Sequence, residues 1–503
     1  MKYQNPIIRG FNPDPSICRV SEDYYLVTSS FAYFPGIPVY HSRDLVNWEL
    51  IGHCVTEEGM LPYEEAESAG GIWAPTIRYH KGLFYVTATF SRRGNFIVSA
   101  KDPAGPWSEP VWTQVDGIDP SMYFEGDEMY YCTNDSTARR KELGVETEGI
   151  SLCRMDVTTG RILGERRRIW SGTGGGWLES PHVYRIGGYY YLLCAEGGTG
   201  LMHMATIARS KELFGPYESC PNNPLLTNRN DTSKQVMCAG HADLFEDARG
   251  NWWLVHLGCR TNINMHSNIG RETFLMPCDW IDGWPRVLPD GKSKLEADGP
   301  VYAAQKPMRE FRPDFHKQEW EREWQFLRGG QREHVRGNGE LIVKPGKSGM
   351  YDPLGMPGFV CLRQTEHEFI FSMVLRYQPR EFGDEAGLIV YLDHDFNYKF
   401  AVTDVNGQAS LVLIKRVDDM DQILVLRTVH DTGDITLTIS ADKRNYSFGL
   451  NGENLISAST RFMSTDVPDR CFTGTMIGLY AEGSAYLHVV SVNYCTTLHT
   501  GIS

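Results

Sequence analysis

A chain of 503 residues exceeds what one ordinary core holds, and two domains are expected. The composition, 41% hydrophobic and 12% aromatic with 50 Gly and 26 Pro, fits a turn-rich, all-β protein; the 12 cysteines are scattered with no Cys-x-x-Cys pair, which excludes a disulfide scaffold and a zinc cluster. A formal charge of −14 argues against nucleic acid or an anionic membrane as partner, and no apolar run approaches the roughly 18 residues of a bilayer span. The start, Met1-Lys2-Tyr3-Gln4-Asn5-Pro6, has no apolar signal core, so a cytoplasmic location is expected.

Five segments then repeat one pattern: Asp14-Pro15-Ser16-Ile17, Ala74-Pro75-Thr76-Ile77, Asp119-Pro120-Ser121-Met122, Glu179-Ser180-Pro181-His182 and His241-Ala242-Asp243-Leu244. Each runs through a polar turn into an aromatic strand, beginning at Tyr24, Phe84, Met129, Tyr189 and Trp252. The offset from motif to strand is 10 residues in the first four copies and 11 in the fifth, and the copies recur every 45 to 62 residues. That spacing suits a four-stranded propeller blade, so residues 1–306 are expected to form a five-bladed β-propeller, the aromatic triplets packing between blades. Residues 307–324, with Pro307, Arg309, Arg312, Pro313 and the aromatics Phe311, Phe315, Trp320 and Trp324, read as a linker that packs down. Residues 325–503 alternate with period two between turns such as Asn406-Gly407 and Asn451-Gly452, the pattern of a jelly-roll-like β-sandwich.

Three of the five copies begin with a carboxylic acid. In a closed ring of five, Asp14 and Glu179 belong to non-adjacent blades and face each other across the axis, with Asp119 beside Glu179. Glycosidic cleavage needs one carboxylic acid to protonate the leaving oxygen and one carboxylate on the far side of the ring. Asp14 is therefore the expected general base and Glu179 the general acid. Asp119 is expected to raise Glu179 by like-charge repulsion and to orient the substrate. A lone Asp-Pro-Ser is ordinarily a turn, but three acids in register at one repeat position are not explained by turns.

Six strings occur in order: Asn12-Pro13-Asp14-Pro15-Ser16, Gly71-Ile72-Trp73-Ala74-Pro75, Ile118-Asp119-Pro120-Ser121, Glu179-Ser180-Pro181-His182, Gly240-His241-Ala242-Asp243 and Gly270-Arg271-Glu272-Thr273. Together they resemble glycoside hydrolase family 43, most nearly its β-xylosidase and α-L-arabinofuranosidase branch with a C-terminal sandwich, over essentially the whole chain. The resemblance implies a five-bladed propeller, hydrolysis with inversion, and base, tuner and acid roles on Asp14, Asp119 and Glu179. It puts His241 at the propeller centre, where it admits a structural cation; no cofactor is required. Arg271 resembles the family arginine that reaches sugar hydroxyls, against the alternative of a salt bridge. Phe31 and Trp73 are candidates to stack on a sugar face, against plain core packing. Phe472, in Cys471-Phe472-Thr473-Gly474, resembles a sandwich-loop aromatic that closes the pocket and would make the enzyme exo-acting; ordinary sandwich core is the alternative. Two departures stand out: Ser180 replaces the glycine that follows the acid, and Ala32-Tyr33 replace a commoner Glu and Trp.

The expected partner is a xylo- or arabinoxylo-oligosaccharide, from which terminal β-D-xylose or α-L-arabinofuranose is released. The alternatives are a five-bladed retaining fructan hydrolase, whose signatures are absent here, and a non-catalytic carbohydrate-binding protein. The sandwich could serve as a pocket wall or as the surface of a homo-oligomer. Gly172-Thr173-Gly174-Gly175-Gly176 lacks the Gly-Lys-Ser/Thr ending of a phosphate loop, and no nucleophile elbow or His-Glu-x-x-His is present.

Overall fold

The structure, a computed structural model, describes residues 1–307, 310–429, 433–468 and 472–496; Arg309 and Cys471 lie outside them. Each sequence repeat opens one antiparallel sheet, on the strands Ser16–Val20, Ile72–His80, Ser121–Glu125, Glu179–Ile186 and Val236–Glu246. Four sheets have four strands, and the third carries an extra one, Arg167–Trp170. The opening strands touch in ring order, first to second and so on until the fifth meets the first. This is a five-bladed propeller with the opening strands around its axis.

The aromatic runs form the second strands, such as Asp23–Val27 and Tyr189–Glu196. A ring pair lies at every blade interface: Tyr25–Phe84 at 4.9 Å, Tyr85–Phe124 at 5.2 Å, Tyr123–Tyr190 at 6.1 Å, Tyr191–Trp280 at 5.2 Å and Phe245–Tyr24 at 6.0 Å between centroids. These edge-on and tilted contacts fill the wedge between twisted sheets. The N-terminal segment fastens the ring. Lys2–Gln4 pairs with Glu296–Asp298, and the Asn12 amide donates to the Arg271 carbonyl at 3.0 Å.

The axis is held by a buried ion pair. Arg78 of the second blade donates to Asp243 of the fifth at 2.9 Å, and Asp243 also accepts from the Ser16 hydroxyl (2.7 Å), the Ile17 amide (3.1 Å) and the Tyr184 hydroxyl (2.5 Å). The second Arg78 nitrogen lies 2.9 Å from His182 Nδ1. Four blades thus meet on one carboxylate. Burial opposes its charge, but Arg78, His182 and the Tyr184 hydroxyl outweigh burial and hold Asp243 well below the usual carboxylate range.

The C-terminal sandwich comprises an eight-stranded and a seven-stranded sheet. Glu385–Tyr391 and Met476–Glu482 lie in the first, Phe369–Arg376 and Ile435–Ala441 in the second. The eight-stranded sheet does not end inside the sandwich. Its last strand is Tyr33–Phe34 of the propeller, paired with Phe326 and Leu327 of Gln325–Leu327. Arg260 of the fifth blade adds an ionic tie, held at 2.7 Å by Glu272 of its own blade and at 2.7 Å by Glu366 of the sandwich. In the stretch between the two domains, Phe311 exchanges backbone hydrogen bonds with Tyr494, and Trp320 meets Phe326 at 4.9 Å.

Because Asp243 is the one anion facing Arg78 in this axial network, Asp243→Ala leaves a buried guanidinium uncompensated. We expect a loss of about 3–5 kcal/mol in denaturant unfolding; a loss under about 1 kcal/mol would show that the axial pair does not hold the ring.

Candidate active site

The side chains at the mouth are aimed by a backbone device repeated in every blade. Asp14, Ala74, Asp119, Ser180 and His241 all have left-handed backbone, with φ of 56°, 42°, 53°, 53° and 47°. Each sits two residues before a paired position: Ser16 opposite Val27, Thr76 opposite Thr87, Ser121 opposite Cys132, His182 opposite Leu193 and Asp243 opposite Val255. A non-glycine residue in this region costs about 1–2 kcal/mol and persists only where its surroundings over-determine it. In blades two, four and five the kink is a β-bulge, a device that re-aims a side chain beside a site.

This register corrects one expectation. Glu179 is not the counterpart of Asp14 and Asp119; Ser180 is. The three consecutive tyrosines, 189 to 191, offer two rulers one residue apart, and strand pairing selects Tyr190, opposite Arg185, as the counterpart of Tyr24, opposite Arg19. Glu179 is still on the strand, opposite Ala195, just before the bulge, and its equivalent in the second blade is Trp73, opposite Thr89. The acid therefore enters from a position of its own, half-buried, whereas Asp14 and Asp119 are buried.

Asp14 is the most heavily partnered of the three. Ser29 donates to its Oδ2 at 2.6 Å, Arg271 to its Oδ1 at 3.1 Å, and His241 Nδ1 stands 3.5 Å away. Burial alone would raise its carboxyl, but Arg271, His241 and Ser29 outweigh burial and hold it below the ordinary range. Glu179 is pushed up to about 7, by burial first and then by the charge of Asp14, with Arg271 opposing. Asp119 is driven well above the carboxylate range by burial, then by Glu179 and Asp14. Asp119 and Glu179 repel one another as like charges, and each is pushed upward with Asp14 adding to both. Three acids facing one guanidinium retain a proton among them at neutral pH.

His241 lies between acids, 3.5 Å from Asp14 and 3.9 Å from Asp119, and burial lowers it, so it is neutral. Among the described residues no three His, Cys, Asp or Glu side chains are grouped to hold a metal ion. Arg271 spans the two domains: besides Asp14 it donates through Nε and Nη2 to the Phe472 carbonyl at 3.1 and 2.9 Å. Its guanidinium carbon stands 5.7 Å from the ring centres of both Phe31 and Phe472, which lie 6.5 Å from one another. This close approach needs Gly270 and Gly474, since a Cβ on Gly474 would fall 1.9 Å from the Ile269 carbonyl oxygen. Phe31 is buried in the propeller core, packed on Phe11 at 5.5 Å. Trp73 is half-buried; its indole N–H donates to the Ala69 carbonyl at 3.0 Å.

Two participants escaped the sequence reading. Ser29 donates to Asp14 and accepts the Ala74 amide at 2.7 Å, locking the first two blades at the mouth. Its signal was the polar run Thr28-Ser29-Ser30 closing an apolar strand, all three fully buried. His203, whose Nδ1 lies 3.0 Å from the Cys238 carbonyl oxygen, is pushed down to about 3 by burial and occupies the space a Cβ at Gly240 would need. A lone histidine carried no signal.

A propeller whose axial mouth gathers three acids around one arginine, roofed by a sandwich loop, defines a glycoside hydrolase. The model for glycosyl hydrolases family 43 matches residues 3–285, and that for the β-xylosidase C-terminal concanavalin A-like domain matches residues 312–494. The chain belongs to glycoside hydrolase family 43. It is 39% identical to a non-reducing end α-L-arabinofuranosidase of Bacteroides ovatus, over 96% of this chain and 92% of that one. It is 35% identical to a xylosidase/arabinosidase of Butyrivibrio fibrisolvens, over 98% and 97%. Among solved structures, the Bacteroides ovatus xyloglucan PUL GH43B protein superposes with a TM-score of 0.92 at 37% identity, covering 99% of this chain and all of that one. The family inverts configuration, and the retaining fructan and non-catalytic alternatives are set aside.

Ser180 occupies the left-handed position without the freedom of glycine, and its buried hydroxyl has no hydrogen-bond partner. Ser180→Gly is expected to raise stability by about 1 kcal/mol in denaturant unfolding; a destabilised variant would mean the serine side chain is needed.

Proposed function

We propose that the protein removes terminal β-D-xylose or α-L-arabinofuranose from xylo- or arabinoxylo-oligosaccharides. The observation that carries this reading is the opposed ionisation of Asp14 and Glu179: one acid is held below the ordinary range by Arg271, while the other is pushed up to about 7. Asp14, ionised, draws a proton from water as it attacks the anomeric carbon. Glu179, protonated, delivers its proton to the departing glycosidic oxygen on the opposite side. Asp119 shares the retained proton with Glu179 and holds the sugar by its hydroxyls, helped by Arg271. Half-buried Trp73 offers a ring face to the sugar, buried Phe31 backs Arg271 and Phe472 from the propeller side, and His241 acts as a neutral positioning group.

Exo action is supported by the roof. Phe472 is fixed through its carbonyl by Arg271 and its ring stands 6.5 Å from that of Phe31, so the sandwich loop bounds the mouth beside Asp14. The pentose assignment is supported by the relatives named above. All 11 described cysteines are free, which supports a reducing, cytoplasmic setting. Among the described residues no helix is long and apolar enough to cross a membrane.

The first test is proton NMR in the first minutes of hydrolysis of xylobiose mixed with an arabinose-decorated xylo-oligosaccharide. α-Xylose or β-arabinose as first product supports the reading and identifies the pentose; the retained anomer of either sinks it. Glu179→Gln should lower kcat by about 10²–10⁴ on sugar leaving groups, and least on activated aryl glycosides that need no proton. In kcat/KM against pH, activity rises as Asp14 loses its proton, below the ordinary carboxylate range, and falls as Glu179 loses its own near 7. Arg271→Lys should move the acid limb upward, because Asp14 loses part of what holds it ionised; an unmoved limb would exclude Asp14 as the base.

A further inference from the structure

The rim of the fourth blade, beside Glu179, is unlike the rest of the mouth. It consists of two loops, residues 171–178 and 197–203. The Gly197 amide donates to the Gly176 carbonyl at 2.8 Å. The first loop is anchored from beneath by the buried Glu196 carboxylate, which accepts from the Thr173 amide at 2.9 Å and the Gly175 amide at 2.9 Å. On this anchored rim three large apolar side chains face solvent: Trp177 is 69% exposed, Leu201 55% and Met202 56%. Leu178, between Trp177 and Glu179, is buried, so the indole is displayed by design of the loop and not by fraying. The indole edge lies against Gly198, where a Cβ would stand 3.3 Å from Trp177 Cδ1, which joins the two loops into one surface. The second loop ends at buried His203, whose ring packs against Gly240, the residue before His241, so this surface borders the mouth.

A general acid protonates the bond to the leaving group, so whatever is presented outward next to it meets the leaving group and not the terminal sugar. We propose that Trp177, with Leu201 and Met202 beside it, is the platform on which the leaving-group sugar of the oligosaccharide stacks. This rests on the reading of Glu179 as the acid. An exposed indole presents a flat apolar face matched to the C–H face of a pyranose ring, and stacking there selects sugar leaving groups over small ones. Glu148, which accepts the Leu178 amide at 2.9 Å and acts electrostatically on Glu179, adds a carboxylate at the same rim for hydroxyls of that second sugar.

The test compares kcat/KM for two substrates carrying the pentose the wild type releases: a disaccharide, and the corresponding glycosyl fluoride, whose leaving group has no ring. For Trp177→Ala the ratio of disaccharide to fluoride should fall about tenfold, mainly through KM, as expected of a contact of about 1.4 kcal/mol; Trp177→Phe should keep most of the ratio. An unchanged ratio, whether both substrates slow equally or neither does, overturns the platform. The underlying reading fails separately: a wild type that releases no pentose from either substrate sinks the glycosidase assignment itself.

Discussion

One buried carboxylate organises the centre of this molecule. Five opening strands converge on the axis, and Asp243 gathers donors from three other blades into one site. Its partner Arg78 reaches it across the ring and also meets His182. Above this floor, two residues earlier on each strand, stand Asp14, Asp119, Ser180 and His241. In the first and fifth blades one side chain, Ser16 or Asp243, thus holds the ring, while two positions earlier the left-handed kink turns Asp14 or His241 toward the mouth.

The second guanidinium does for the mouth what Arg78 does for the floor, with a difference. Arg271 compensates only Asp14 directly, and its remaining donors go to a backbone carbonyl of the other domain. The acids on the far side are left under-compensated, which is why Asp119 and Glu179 are both pushed upward. Separation of the two ionisation behaviours follows from where one arginine stands, and that position depends on the Phe472 loop being docked.

Much of this was legible in the chain. The constant motif-to-strand spacing gave the number of blades and their order, and hence which acids are neighbours. The aromatic runs read correctly as interface packing, and the period-two segments as a sandwich. The failures have physical causes. Glu179 was placed one residue out because Tyr189-Tyr190-Tyr191 leaves the ruler ambiguous, and because a bulge changes which residue kinks without changing composition. Ser29 and His203 act through contacts made only after the blades close, 15 residues from Asp14 in one case and across blades in the other. The Ala32-Tyr33 departure has a structural side that composition does not show: Tyr33 lies in an edge strand, and the Ala32 carbonyl accepts the Arg328 amide at 2.7 Å.

That lent strand bears on how the architecture can change. A strand of the first blade's connection completes a sheet belonging to the other half of the molecule, with Phe34 opposite Phe326 and both buried. Cutting the halves apart would strand an unpaired, apolar sheet edge on one piece and a dangling phenylalanine on the other. The halves are therefore not interchangeable modules to be shuffled among unrelated partners. The first blade's connection is also the least free of the loops at the mouth to lengthen or vary. Diversification of what such a mouth accepts falls to the connections of the remaining blades, where the glycine-rich rim of the fourth carries no comparable obligation.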